Sequence, residues 1–192
     1  MSSCGAACDR VVIFACKCTL VLHLLVYFPP AQADQYVTRE HFVRRNILDG
    51  SVLVERKVVL TAEEKQRIKR RWLLAWLPDS MDFIVGQDKD GNITGTVSFA
   101  VVYGEIHREY HHVGVGIAPS GKITEVAVME AKSERPGRLA TKVFLEQFKG
   151  KGSGRLSLAR DIDAVTGATE SSKTVVDAVN AIVAVYSESF KE

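Results

Sequence analysis

Apolar positions along this chain follow two periods, and the places where one gives way to the other mark its elements. Ile68, Trp72, Leu73, Trp76 and Leu77 recur at three- and four-residue intervals, the spacing that lines one face of a helix. Thr61-Ala62-Glu63-Glu64 stands before them as a capping box, and Pro78 stops the run. The same period returns over Arg138 to Phe148, with Leu139, Val143, Phe144 and Phe148 on one stripe. It returns again over Ser171 to Tyr186, with Val175, Val176, Val179, Ile182, Val183 and Tyr186.

Between these helices the pattern shortens to that of strands. Asp82 to Val85 and Ile93 to Val102 are joined by Asp88-Lys89-Asp90-Gly91-Asn92, with Asp90-Gly91 as the hairpin turn. Val113 to Ala118 and Ile123 to Met129 are joined by Pro119-Ser120-Gly121-Lys122. Two hairpins predict an antiparallel sheet, and helices that follow strands without strict alternation predict an α+β fold with the helices packed on that sheet. Residues 34–60 mix charges with β-branched residues and predict an irregular entry segment holding a short strand.

The N-terminus has a different composition. Arg10 precedes an apolar stretch interrupted only by Lys17 and His23, and Ala31-Gln32-Ala33 has small residues at the first and third places of a cleavage site. This is the layout of a signal peptide over residues 1–33, with a mature chain from Asp34. The alternative, an N-terminal membrane anchor, needs about 20 apolar residues, more than Cys18 to Phe28 provides. The expected divisions are therefore 1–33 as leader or anchor, 34–103 as an N-terminal part with helix and hairpin, and 104–192 as the core of a binding domain. All four cysteines (Cys4, Cys8, Cys16, Cys18) lie in the leader, which excludes thiol chemistry from the exported part. Loss of Asp9, Arg10 and Lys17 changes the formal charge from +2 to +1, too little for a nucleic-acid binder.

Several local features invite a chemical reading and fall short of one. Lys65, Arg67, Lys69, Arg70 and Arg71 read better as a solvated helix face than as an anion site. The acidic residues around Gly91 lack the pattern of a calcium loop. His107, His111 and His112 have no carboxylate to complete a metal set and read as a polar rim on the sheet. Gly150-Lys151-Gly152-Ser153-Gly154-Arg155 follows a helix and lacks the ending of a phosphate-binding loop, so it reads as a flexible connection.

The turn Thr166-Gly167-Ala168-Thr169-Glu170-Ser171-Ser172 carries two readings. It precedes the last helix, whose first N–H groups have no acceptors of their own and whose dipole favours an anion. Those donors would seat a phosphate, with Gly167 and Ala168 leaving room and Thr169 placing a hydroxyl beside it. The other reading makes Thr169, Ser171 or Ser172 an ordinary helix cap.

Asp163-Ala164-Val165-Thr166-Gly167-Ala168-Thr169 resembles the attachment motif D-x-x-[ST]-G-A-[TS] of the FMN-binding domain family, found in flavoprotein subunits of sodium-pumping NADH:quinone reductases and related electron-transport complexes. Glu134-Arg135-Pro136-Gly137 resembles that family's E-T-P-G-L-G loop, with Arg135 in place of Thr and Arg138-Leu139 in place of Leu-Gly. Gln147-Phe148-Lys149-Gly150-Lys151 resembles its Q-F-x-G-K segment.

The resemblance implies FMN joined to the Thr169 hydroxyl through a phosphoester, installed by a flavin transferase that takes FAD as donor and depends on magnesium, with Asp163 assisting. Thr166, Gly167, Ala168, Glu170, Ser171 and Ser172 would surround the phosphate, and Glu134 and Arg138 are candidates beside the ring. The implied function is an electron carrier more than an enzyme with its own substrate. It would be periplasmic or secreted, or held to the membrane by its N-terminus, and would exchange electrons with a membrane or exported redox protein. Two further readings are a non-redox flavin-binding sensory or regulatory module and an FMN-dependent reductase.

Overall fold

Alternation of apolar and polar side chains sets both the strands and the faces of the sheet. The computed structural model describes residues 37–104, 109–132, 139–152 and 154–190. The chain divides into a short unit, Met1–Ala31, and a larger one, Gln32–Glu192. The expected leader, residues 1–33, lies outside the described residues.

The larger unit has an α+β fold. Among the described residues its order is α1 (Arg39–Asn46), β1 (Val52–Val59), α2 (Ala62–Trp72), β2 (Ser80–Gln87), β3 (Ile93–Tyr103), β4 (Tyr110–Ile117), β5 (Ile123–Lys132), α3 (Lys142–Leu145) and α4 (Thr169–Ser189). The five strands form one antiparallel meander in the order β1-β2-β3-β4-β5. In the β2–β3 turn the Asp88 carboxylate accepts from the N–H groups of Asp90 and Asn92, and Gly91 takes φ 84°. That carboxylate is spent on the turn.

One sheet face carries the main core. Phe83, Val85, Val113, Val115, Ile117, Val126 and Val128 pack there with Val175, Val179, Ile182 and Val183 of α4 and with Ile68 and Trp72 of α2. The long stripe expected on α4 is buried throughout. Two basic residues of α2 tie the two helices together: Arg71 pairs with Glu188 at 2.7 Å and Arg67 lies 3.9 Å from the same carboxylate.

The opposite face carries a smaller core of Phe42, Val43, Ile47, Val97, Ala127 and Met129 beneath α1. The helix lies close because the strands lack side chains where it passes. A Cβ at Gly95 would meet the backbone carbonyl of Asn46, and one at Gly116 would meet its side chain. Asn46 fills that gap and latches α1 to β5: Nδ2 donates to Phe42 O and Glu125 Oε2, both at 2.9 Å, and Oδ1 accepts from Thr124 Oγ1 at 2.6 Å.

Three expectations are corrected. Residues 34–60 hold an eight-residue helix and an eight-residue strand where a short strand in an irregular segment was expected. Helix α2 has its capping box but ends at Trp72, with Leu73 turned left-handed at φ 50°. The turn lets Leu74 and Leu77 reach the core while Leu73 stays exposed. The helix expected over Arg138 to Phe148 is one turn, α3, followed by a 3-10 turn, Glu146–Phe148. It is held by Leu139, Phe144 and Phe148, with Leu145 partly buried against the same core and Val143 exposed.

Gly95→Ala is expected to lower stability by about 1–3 kcal/mol, because α1 must move off the sheet. Gly154→Ala, where an added Cβ meets nothing within 4 Å, should stay within about 0.5 kcal/mol. Urea denaturation midpoints of the two variants check this.

Candidate functional site

The segment before α4 is shaped by side chains that clasp backbone. Gln147 holds Asp163 from both sides: its Oε1 accepts from Asp163 N–H at 2.7 Å and its Nε2 donates to Asp163 O at 3.2 Å. The neighbouring Phe148 is fully buried. The Gln-Phe pair therefore anchors the loop, one residue in the core and one gripping the backbone beneath the Asp163 side chain, which is exposed. Further back, Asn180 of α4 takes Leu156 in the same way, accepting from its N–H and donating to its carbonyl at 2.8 Å each. Asp161 accepts from Ser157 N–H and from Arg160, and the Arg160 guanidinium holds its carboxyl down to about 2.

The glycine-rich stretch is a pinned connection where a flexible one was expected. Gly150 N–H donates to Ile123 O and Ile123 N–H donates to Lys151 O, so the chain adds two bonds to the start of β5. Gly150 needs φ 78°, and a Cβ at Gly152 would press on Gly121 O at 2.7 Å.

Thr166 and Gly167 form the corners of a turn closed by Ala168 N–H to Val165 O at 2.9 Å, with Gly167 at φ 73°. The left-handed corner favours glycine. Ser172 locks this turn from beneath: its buried Oγ accepts from Val165 N–H at 3.0 Å and donates to Ala168 O at 2.8 Å.

None of the three candidate hydroxyls caps α4. The N-cap is Ala168, and no side chain caps the helix. Thr169 is the first helical residue and is exposed. Ser172 is occupied by the turn, and Ser171 Oγ lies 3.4 Å from Glu109 Oε2. The first turn of a 21-residue helix thus presents N–H groups with no acceptor from its own cap, beside an exposed hydroxyl. Free donors of this kind, at the positive end of a helix dipole, favour an anion, and the Thr169 hydroxyl stands beside them. Glu170 and Glu109 are carboxylates at the same end.

Residues 110–184 match a family model described as the FMN-binding domain. The matched stretch runs from the start of β4 through most of α4 and contains Gln147, Asp163, Thr166, Gly167, Ala168 and Thr169. Among solved structures the chain is similar to NqrC of Shewanella oneidensis, with 16% identity and a TM-score of 0.45 over 73% of this chain and 80% of that one. No curated protein matches.

Of the predicted site residues, Asp163, Thr166, Gly167, Ala168, Thr169, Glu170, Ser171 and Ser172 lie together in the loop and first turn of α4. Glu134 and Arg138, with the 134–137 loop, and His107 lie outside the described residues.

His111 corrects the reading of a polar rim. It is fully buried on the α4 face of β4, between its cross-strand partners Val102 and Ala131, and neither ring nitrogen has a hydrogen-bond partner. Glu109, two residues earlier on the same face, is the residue that reaches Ser171. Burial pushes the His111 imidazole down from its ordinary range, against a smaller upward pull from Glu109. No group of three or more metal-binding side chains occurs among the described residues. A histidine between Tyr110 and His112 gives no sequence signal of such isolation; only the period-two count from Val113 places it inward.

Whether the site suits FMN can be judged from its own atoms. An alanine at the N-cap leaves donors for a phosphate, the exposed Thr169 lies beside them, and His111 offers a buried donor and acceptor without protein partners at the same end of the sheet. The residues fit the group.

Burial makes the imidazole bind its proton less readily in the folded protein than in the unfolded chain, whose ordinary value is 6.5. Below that pH the unfolded state binds more protons, so stability falls as the solution is acidified. The flavin-free protein should lose stability between about pH 7.5 and about pH 5.5, and His111→Leu should lose less. Chemical denaturation at the two pH values measures the difference.

Proposed function

We propose that this chain is an exported flavoprotein electron carrier with FMN esterified to Thr169. The observation that carries the reading is the uncapped N-terminus of α4 with an exposed Thr169, inside the segment that matches the FMN-binding domain. Elsewhere in such helices a serine, threonine or aspartate at the N-cap would occupy the donors. Here Ala168 leaves them open, and the only hydroxyl buried near the turn, Ser172, is turned back to shape the loop.

In this reading each residue has a separate task. The first-turn N–H groups hold the phosphate, helped by the positive end of the helix dipole. Gly167 makes the sharp corner that brings backbone close to the cofactor. Gln147 presents Asp163 outward, where a magnesium-dependent flavin transferase using FAD would reach it. His111 is the side chain whose unpartnered nitrogens a flavin's polar edge would satisfy. The bound flavin supplies reversible electron transfer, and the protein positions and tunes it.

Export is supported by the leader pattern of residues 1–33, and a covalent tether suits a compartment where free cofactor diffuses away. The partners of this reading are the transferase and a membrane or exported redox protein.

Intact mass after co-expression with a flavin transferase tests the assignment. The chain should gain an FMN moiety, Thr169→Ala should lose it completely, and Thr169→Ser should retain it. An unmodified chain made with an active transferase would overturn covalent attachment, and flavin mass persisting in Thr169→Ala would move the site. Bleaching of visible absorbance by dithionite and its return in air checks the carrier role on the same sample.

A further inference from the structure

β1 is the first strand of the sheet, and among the described residues no strand lies beside its outer edge. Every residue of β1 except Val58 is exposed. Val52 is 64% exposed, Leu53 55% and Val59 69%. Such a strand is a template for pairing, which isolated edges avoid with prolines, bulges or short length. β1 uses none of these, being eight residues long, free of proline and paired with β2 without a register shift; of the charges that also blunt edges it carries the central Glu55-Arg56-Lys57, of mixed sign.

Its sequence is also symmetric in character. Residues 52–60 read Val-Leu-Val-Glu-Arg-Lys-Val-Val-Leu, three apolar residues on each side of a charged centre at Arg56. We propose that β1 pairs antiparallel with β1 of a second copy of this chain, about a two-fold axis at Arg56, to join two five-stranded sheets into one.

The register follows from side-chain faces. In a continuous antiparallel sheet residues opposite one another share a face, so the axis must pass through a residue. With the axis at Arg56, Glu55 faces Lys57 of the partner copy twice over, and Val54 faces Val58, Leu53 faces Val59 and Val52 faces Leu60, each also twice. Moving the axis to Glu55 sets that carboxylate against itself and Leu53 against Lys57. Moving it to Lys57 sets two ammonium groups together and Glu55 against Val59. Apart from Arg56 facing itself on the axis, only the Arg56-centred register matches sign with opposite sign and apolar with apolar.

The like charges at that axis are already drawn away from it. The Arg56 guanidinium lies 4.5 Å from the ring centroid of Phe190 and donates to Ser189 O at 3.5 Å. Phe190 packs on Phe83 of β2, with centroids 5.1 Å apart, so Arg56 leans over its own sheet. The two-fold closes on itself, since each copy uses the same edge. The other edge is not equivalent, because Gly150 and Lys151 hydrogen-bond to the start of β5.

Sedimentation equilibrium of the full chain under reducing conditions, with a charge-swap cycle, tests the pairing. The unaltered chain should show a concentration-dependent monomer–dimer equilibrium. Glu55→Lys and Lys57→Glu are exposed changes that each set two like-charge pairs across the interface, and each should raise the dimer Kd by about tenfold or more. The double variant should restore dimerisation. An equimolar mixture of the two single variants should form a heterodimer, because every cross-strand pair in it is again opposite in sign. A chain that stays monomeric at about 100 µM, well above the micromolar range of a weak specific complex, would overturn the proposal. So would single variants that dimerise as well as the unaltered chain, or open-ended oligomers in place of a dimer.

Discussion

The burial of α4 on the sheet is the constraint on which the rest of the structure depends. From Val175 to Tyr186 every residue except Asp177 is buried, including the polar Asn180. A helix of 21 residues spans about 30 Å, so fixing its middle fixes both ends. Its C-terminus is held by Glu188 to the arginines of α2 and by the stacked rings of Tyr186 and Phe190. Its N-terminus is thereby brought to the start of β4, where Glu109 meets Ser171. The site is where it is because the apolar stripe cannot slide: a shift of one residue would turn Asn180 from the Leu156 backbone and expose part of the core.

The loop that enters α4 is positioned by amide side chains more than by packing. Gln147 and Asn180 each satisfy one donor and one acceptor of extended backbone, Asp163 and Leu156 respectively. A buried backbone pair left unmatched costs about 1–3 kcal/mol per group, so the buried Asn180–Leu156 clasp selects one path for the chain, while the exposed Gln147–Asp163 clasp guides it more weakly. Between them lie Asp161 with its arginine and the Leu158–Ile162 bridge. The path from α3 to Thr169 is long and carries little regular structure, yet it is specified nearly residue by residue.

Much of this was legible in the sequence because it rests on period and punctuation. The two hairpins, the capping box at Thr61 and the stripe of α4 each depend on local spacing that survives without neighbours. What escaped depends on tertiary partners. α1 shows a mixed charge pattern, and its helical state follows from a slot made by Gly95, Gly114 and Gly116, residues about 50 or more positions away. The early end of α2 reflects the pull of Leu74 and Leu77 into the core, which overrides a helical period that continued to Leu77. The turn before α4 was legible as a motif, but the partners of Ser172 and the grip of Gln147 join residues 7 and 16 positions apart. His111 was misread because its meaning lies in the absence of partners, which only a folded neighbourhood can show.

The choice of Ala168 as N-cap shows how stability and function divide at this site. Alanine is among the poorer caps, and replacing a serine or aspartate cap by alanine costs about 0.5–2 kcal/mol. The chain has hydroxyls at Thr166, Thr169, Ser171 and Ser172, any of which a one- or two-residue change in register could bring to the cap. Instead the Ser172 hydroxyl fixes the turn and keeps the cap position empty. A short exposed helix would fray under that loss. α4 tolerates it because its stability comes from the buried stripe, so its first turn can keep its donors free for an anion that arrives from outside the polypeptide.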